Sequence, residues 1–204
     1  MKNQTVTISS IDWAHWQPDL LTTLVFIRQQ QQVLLIHKKT GLGAGKILGP
    51  GGKFEPFETP LACAIRETEE ELEITPHDLQ PMAELFFHDL AHPKIKVYVY
   101  VTDHFTGTPT ETREAAPLWC SIQDLPLDQM WADDQFWLPQ ILQNEPIRGW
   151  FYFDGERLVD HRRDPLLHGQ VQGGVHQRGG AVGVGELLFD AEHGVERVVG
   201  PHPL

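Results

Sequence analysis

The first apolar runs in the chain predict two buried strands that form a hairpin. Residues 22–28 (TTLVFIR) and residues 33–37 (VLLIH) are dominated by apolar and β-branched side chains, and the glutamines between them form a polar turn. Residues 41–52 (GLGAGKILGPGG) follow, and they contain so much glycine that a loop is predicted there.

A helix is predicted over residues 60–72. Thr59 has the side chain of an N-cap, and Pro60 stands at the first helical position, where a missing N–H costs nothing. Apolar residues recur through the segment, ending with Leu72. The helix therefore begins directly after the glycine-rich loop and its short connection.

The later pattern predicts two more hairpins, a single strand and a second helix. The alternation in KVYVYVT is typical of a strand, and Asp154-Gly155 is a strong hairpin turn. The hairpins pair residues 84–88 with 96–102, around a turn at 91–93, and residues 149–153 with 157–161; the strand covers 118–122 and the helix 133–143. The acidic start of that helix suits its dipole.

The composition changes after residue 162. Residues 163–204 contain half of the chain's 18 glycines, no lysine, and Phe189 as their one aromatic residue. Such a stretch has little to bury. We therefore predict one folded domain over residues 1–162 and a glycine-rich, weakly structured tail over residues 163–204, which is most simply a non-essential extension.

The charge balance narrows the function. A formal net charge of -12 argues against binding duplex nucleic acid or an anionic membrane, although a divalent metal would still admit a small anionic ligand. Two cysteines, Cys63 and Cys120, are too few for a disulfide framework, and no apolar run is long enough to cross a bilayer. We expect a cytoplasmic protein, active as a monomer.

Three carboxylates share one face of the predicted helix. Glu67, Glu70 and Glu71 stand at helical i, i+3 and i+4 spacing, with only Arg66 nearby to offset their repulsion. Hard oxygen ligands grouped in this way suit Mg²⁺ or Mn²⁺ bound together with substrate phosphates. A solvated acidic helix face is the alternative, and an acidic cluster alone does not exclude it.

The wider spacing resembles the Nudix box, GX5EX7REUXEEXGU, in which U is a bulky apolar residue. Residues 52–74 read GKFEPFETPLACAIRETEEELEI and match every charged position of the box. Thr68 stands where an apolar residue is usual, and Glu73 stands where glycine normally ends the helix. Either Glu73 adopts the left-handed conformation at a cost of roughly 1 kcal/mol, or the helix continues towards Pro76.

The resemblance extends to the MutT-homologue branch of the family, the oxidised purine nucleoside triphosphatases. It implies an α/β/α sandwich with a mixed central sheet. It also implies hydrolysis of a damaged purine nucleoside triphosphate to a monophosphate and pyrophosphate, as sanitation of the nucleotide pool. The similar segments are residues 38–53, residues 107–114, residues 130–143 and residues 148–154.

The resemblance also implies roles for individual residues. Arg66 and Glu58 would hold the catalytic carboxylates in place, and metal-oriented water would attack phosphorus. The implied catalytic residues are Glu58, Arg66, Glu67, Glu70 and Glu114, and the implied metal ligands are Gly51, Glu67, Glu70, Glu71 and Glu114.

A second group of residues is expected to bind the nucleotide. Trp131 would stack on the purine, while Asp133 and Asp134 would share a proton and read the base edge. The remaining expected substrate contacts are Phe87, Leu48, Lys38 and Lys53. Leu48 stands where the branch commonly has asparagine, and unlike asparagine it offers the purine neither a donor nor an acceptor. Without the resemblance, Trp131 would be read as a core aromatic and Asp133 as a helix N-cap.

Other functions fit less well. A nucleotide-sensing Nudix domain without turnover would be indicated by decayed box glutamates, and all of them are present. A Nudix hydrolase for an ADP-ribose type of substrate is disfavoured by the Trp-x-Asp-Asp segment. The 11 histidines show no zinc-binding spacing, and the glycine-rich loop matches no Walker A motif.

Overall fold

The computed structural model describes residues 6–90 and 92–166, together with the backbone of Leu187–Phe189 and Glu196–Val198. In chain order the elements are β1 (Leu20–Gln29), β2 (Gln32–Lys38), β3 (Ile47–Leu48), α1 (Pro60–Leu72), β4 (Thr75–His77), β5 (Gln80–Asp89), β6 (Ile95–Thr102), β7 (His104–Thr106), β8 (Ala115–Ser121), α2 (Asp134–Ile141), β9 (Ile147–Asp154), β10 (Arg157–Pro165), β11 (Leu187–Phe189) and β12 (Glu196–Val198).

The main sheet is mixed, as expected. Its order is β10-β9-β5-β6-β1-β2, and β2 also pairs with β3 and β8. The pairs β1–β6 and β5–β9 are parallel, whereas the hairpins β1–β2, β5–β6 and β9–β10 are antiparallel. All three predicted hairpins are thereby confirmed.

One helix packs on each face of this sheet. Along β1, Val25 and Ile27 join the apolar cluster that includes α1, whereas Phe26 joins the cluster that includes Trp137 of α2. The alternation arises because successive side chains of a strand point to opposite faces. The structure is therefore the predicted α/β/α sandwich.

Helix α1 has the predicted ends. The Thr59 hydroxyl accepts a hydrogen bond from the Ala62 amide, and Pro60 opens the helix. Glu73 follows Leu72 with φ of 57° and ψ of 31°, so a glutamate adopts the left-handed conformation that glycine usually supplies. Continuation towards Pro76 is thus the wrong alternative, and the box carboxylates stay in register.

Three local features were absent from the sequence prediction. Strands β4 and β7 form a separate two-stranded ladder. The N-terminal segment forms a short 3-10 helix, Ile8–Ser10, and then places Trp13 and Trp16 against aromatic side chains of β5 and β9. Isolated tryptophans in an aperiodic segment give no signal for such packing.

The predicted domain boundary falls inside β10, which continues to Pro165 and is followed by buried Leu166. Within the predicted tail, β11 and β12 pair with each other. The other residues of the tail after 166 lie outside the described part of the chain. Among the described residues, no helix has the length and hydropathy to cross a bilayer.

Candidate active site

The glycine-rich connection between β3 and α1 lies directly against β1. The Thr23 amide donates to the Gly52 carbonyl at 2.9 Å, and the Val25 amide donates to the Pro50 carbonyl at 2.8 Å. Gly51 has a φ of 152°, and a Cβ there would lie 2.1 Å from the Thr23 carbonyl oxygen. Only glycine fits this approach, which holds the start of the box beside the sheet.

Arg66 organises three of the box carboxylates. Its Nε and Nη2 atoms donate to the two carboxylate oxygens of Glu58, each at 2.8 Å. Its Nη1 atom donates to Glu67 Oε1 at 2.9 Å and to Glu70 Oε2 at 3.1 Å. These charge-assisted bonds hold the pKa of Glu58 below its usual value. Arg66 therefore links Glu58 to Glu67 and Glu70.

Glu67 lies in a backbone cradle. Its carboxylate occupies the space that a side chain on Gly52 would need, since a Cβ there would lie 2.2 Å from Glu67 Oε2. Burial raises the pKa of Glu67, although the neighbouring Arg66 acts in the opposite direction. Glu70, one turn later, is more exposed, with 58% of its side-chain surface accessible.

Glu71 is fully buried and is paired with Lys38. The Lys38 ammonium contacts Glu71 Oε1, and the Gly51 amide donates to Glu71 Oε2 at 2.8 Å. Burial raises the pKa of Glu71 in spite of these partners. Lys38 Nζ also lies 3.9 Å from Glu114 Oε2. The predicted metal ligands Gly51, Glu71 and Glu114 are therefore neighbours.

These residues fit a divalent metal by the chemistry of their donors. Hard carboxylate oxygens, with a glycine backbone beside them, are what Mg²⁺ and Mn²⁺ bind. Among the residues that the structure describes, no three metal-binding side chains are already grouped as a finished site. The carboxylates are paired with cationic side chains instead: Arg66 bonds to Glu67 and Glu70, and Lys38 bonds to Glu71.

The predicted base-reading residues form a second group. The Trp131 amide donates to Asp134 Oδ2 at 2.9 Å, and the Trp137 indole donates to Asp133 Oδ2 at 2.8 Å. Asp133 stands at the N-cap position of α2, but its side chain makes no capping bond and accepts from Trp137 instead. Trp131 is only half-buried, unlike the core residue Trp137.

The two buried aspartates have raised pKa values. Burial raises the pKa of Asp133 to about 6, against the opposing bond from Trp137. Burial and the charge of Asp133 raise the pKa of Asp134 further. Adjacent carboxylates in one dry site resist double ionisation, and this repulsion acts in the same direction as burial on the pKa of Asp134.

The loop after β2 brings Leu48 to this second group. A Cβ on Gly43 would lie 3.6 Å from both Leu48 Cδ2 and Trp131 Nε1, which places both side chains beside Gly43. Lys46 also reaches this place, with its ammonium 4.5 Å from the centroid of the Trp131 ring. The sequence analysis missed Lys46, because nothing distinguishes one lysine in a glycine-rich loop.

Two further predicted substrate residues have other observed contacts. Phe87 packs in the α2-side cluster and stacks on Phe151 at 5.2 Å between ring centroids. The carbonyl of Lys53 accepts a hydrogen bond from Arg66 at 3.0 Å, and Lys53 bridges to Thr22 of β1. Both contacts support the architecture of the site.

Comparison with known proteins shows which family and which relatives this sequence resembles. The family model described as NUDIX domain matches residues 19–141. The oxidized purine nucleoside triphosphate hydrolase of Danio rerio is 38% identical over 148 residues, which are 72% of this chain and 95% of that protein. The enzyme of the same name from Mus musculus is 37% identical over 140 residues, which are 68% of this chain and 90% of that protein.

A solved structure shows the same fold. The MutT protein from Bacillus halodurans superposes with a TM-score of 0.62 at 22% identity, covering 71% of this chain and 97% of that one. At this identity the likeness concerns the fold alone. Together with the box glutamates that Arg66 gathers on α1, the match over residues 19–141 means that the chain belongs to the Nudix family.

Proposed function

We propose that this protein hydrolyses oxidised or otherwise non-canonical purine nucleoside triphosphates to a nucleoside monophosphate and pyrophosphate, and so sanitises the nucleotide pool. One observation carries the proposal. The same domain contains all the box carboxylates, of which Arg66 holds Glu67 and Glu70, and the pair of Trp131 and Asp134 that is suited to a base. The Danio rerio and Mus musculus relatives, which bear this activity in their names, match the chain over most of their own length.

Nudix hydrolases generally use a divalent metal, typically Mg²⁺. Here Glu67, Glu70 and Glu71 would hold it, together with Glu114 and the backbone of Gly51. When bound, the metal lowers the charge of the triphosphate and the pKa of an attacking water. Mn²⁺ would suit the same oxygen donors.

The protein's own residues perform the remaining tasks. Arg66, held in a fork by Glu58, fixes the directions of the Glu67 and Glu70 carboxylates. Glu67, which Arg66 holds in the cradle beside Gly52, would help to orient the attacking water. Lys38, whose ammonium contacts the buried Glu71, would also offer its positive charge to a phosphate oxygen of the substrate.

Base recognition falls to the second group. Trp131 offers a half-buried ring for stacking, and Phe87 would help to close the pocket. A proton shared by Asp133 and Asp134 lets the pair donate and accept at once, which suits the altered edge of an oxidised purine. Leu48 contributes apolar contact only, and the Lys53 ammonium is a further phosphate contact.

A glutamine substitution tests this mechanism. Glu70→Gln keeps the size of the side chain and removes one negatively charged metal ligand from the exposed end of the site. We expect kcat/KM for 8-oxo-dGTP in Mg²⁺ to fall by about 100-fold or more, as when a charge-stabilising group is lost. Release of pyrophosphate by the wild type identifies the reaction. Full activity of the variant would overturn the assignment of the site.

The same measurements separate the alternatives. Saturable nucleotide binding without pyrophosphate release would indicate a nucleotide-sensing domain, and turnover of ADP-ribose alone would indicate the other substrate class. We further propose a cytoplasmic monomer that binds neither membranes nor duplex nucleic acid. Light scattering would check that the protein is a monomer. Titrations with vesicles and with duplex DNA would check that it binds neither.

A further inference from the structure

Lys46 is fixed by its backbone at the mouth of the base-reading group. Its amide donates to the Gly43 carbonyl at 2.9 Å, and its carbonyl accepts from the Lys38 amide at 3.0 Å. This double attachment closes the glycine-rich loop onto the end of β2. These two hydrogen bonds hold the Lys46 backbone beside the end of β2, whereas its four-carbon side chain is flexible.

The Lys46 ammonium reaches inward, towards Trp131. It lies 4.5 Å from the centroid of the Trp131 ring, on a face where an aromatic base would stack. Its positive charge also acts on buried Asp134, lowering a pKa that burial raises. The contact with Glu156 is long, at 3.9 Å, and Glu156 is 83% exposed, so that surface pair does not fix the ammonium.

Leu48 itself offers a bound base no hydrogen bond. A leucine neither donates nor accepts, and its methyl groups lie beside Gly43 next to the Trp131 indole. Lys46 brings a charged donor to that space, 4.5 Å from the centroid of the Trp131 ring. A base that stacks on Trp131 displaces the ammonium from the ring face to the edge of the base, a movement that the four-carbon stem allows.

We propose that Lys46 is a specificity-determining residue that donates a hydrogen bond to a carbonyl oxygen on the purine edge. The inference rests on the proposed function, because it assumes that a base stacks on Trp131. A lysine ammonium has three donors and no acceptor, so it discriminates in favour of carbonyl oxygens and against exocyclic amino groups. Guanine-type and 8-oxo purines present such oxygens, whereas adenine presents an amino group at the corresponding edge.

The test compares Lys46→Met with Lys46→Arg, and with Lys94→Met as a control that removes the same charge elsewhere. For Lys46→Met, kcat/KM with 8-oxo-dGTP and dGTP should fall by about tenfold through KM, while dATP should change by less than about twofold. Lys46→Arg should recover much of the loss, and Lys94→Met should behave like the wild type.

A binding measurement separates this inference from the proposed function. Calorimetry with the nucleoside monophosphates requires no turnover, and it should show the same selective loss of affinity for the carbonyl-bearing bases. If the wild type does not hydrolyse the triphosphates, but Lys46→Met still loses affinity selectively for the carbonyl-bearing bases, the role of Lys46 stands and the proposed function does not. An equal change for all bases, either weaker or tighter, would overturn the role of Lys46, since it would indicate a phosphate contact or simple competition for the ring.

Discussion

The buried pair of Lys38 and Glu71 provides a quantitative test of the site. Lys38→Met keeps the length and apolar stem of the side chain and removes the ammonium. Glu71 is fully buried, and its carboxylate would then retain the Gly51 amide as its one hydrogen-bond donor among the described residues. Removing one partner of a buried ion pair costs about 3–5 kcal/mol, because the other charge stays desolvated. We therefore expect a loss of about 3 kcal/mol or more in the free energy of unfolding at neutral pH in EDTA.

Neutralising Glu71 should reverse this loss. Without Lys38 the folded-state pKa of Glu71 lies still further above its unfolded value, so the penalty grows as pH rises above the unfolded pKa. The loss should shrink as pH is lowered towards 5, and Lys38→Met combined with Glu71→Gln should recover stability at neutral pH. Mg²⁺ should also stabilise the single variant, since a metal that binds only the folded state shifts the equilibrium.

Urea unfolding followed by circular dichroism measures these differences, with Lys39→Met as the matched control. Lys39 is the next residue, and its pair with Glu111 is largely exposed, so its loss should leave the free energy of unfolding close to that of the wild type. A Lys38→Met protein that is as stable in EDTA as Lys39→Met would refute the assignment of a buried, charge-compensated Glu71.

Three further predictions concern single positions. Gly51→Ala should destabilise the protein by several kcal/mol in thermal melts, because its Cβ would lie 2.1 Å from the Thr23 carbonyl oxygen; a melt like that of the wild type would contradict the packing. Since burial raises the pKa of Asp134, the Asp133–Asp134 pair should lose its last proton at a higher pH than an ordinary aspartate does. We expect kcat/KM to fall there and Asp134→Asn to flatten that limb, whereas an unchanged profile would exclude the shared proton. Phe57→Gly should stabilise the protein by about 1 kcal/mol in urea, because Phe57 is 80% exposed and has a φ of 68°, and a loss of stability would indicate contacts for its ring.

The parts of the site that the sequence predicted are those encoded locally. Helix spacing alone places Glu67, Glu70 and Glu71 on one face, and Thr59 with Pro60 marks where that helix begins. The hairpins also follow from local alternation and turn residues. In these segments, the interactions that decide the structure lie within a few residues of one another.

The parts that were missed depend on contacts between distant residues. The pairing of Lys38 with Glu71 spans 33 residues, and the approach of Lys46 to Trp131 joins two loops. The left-handed conformation of Glu73 was one of two alternatives, because local propensity disfavours it. The packing of the chain that follows α1 determines that the helix ends there. Burial and tertiary packing, rather than periodicity, determine these features.

The central claim is the substrate class, and a nucleotide panel tests it most directly. The measurement is kcat/KM in Mg²⁺ for 8-oxo-dGTP, other oxidised purine triphosphates, the four normal deoxynucleoside triphosphates and ADP-ribose, with pyrophosphate identified as a product. We predict that an oxidised purine triphosphate is the best substrate and that EDTA abolishes the activity. A clear preference for ADP-ribose or for a pyrimidine nucleotide, or no hydrolysis of any triphosphate, would contradict the account.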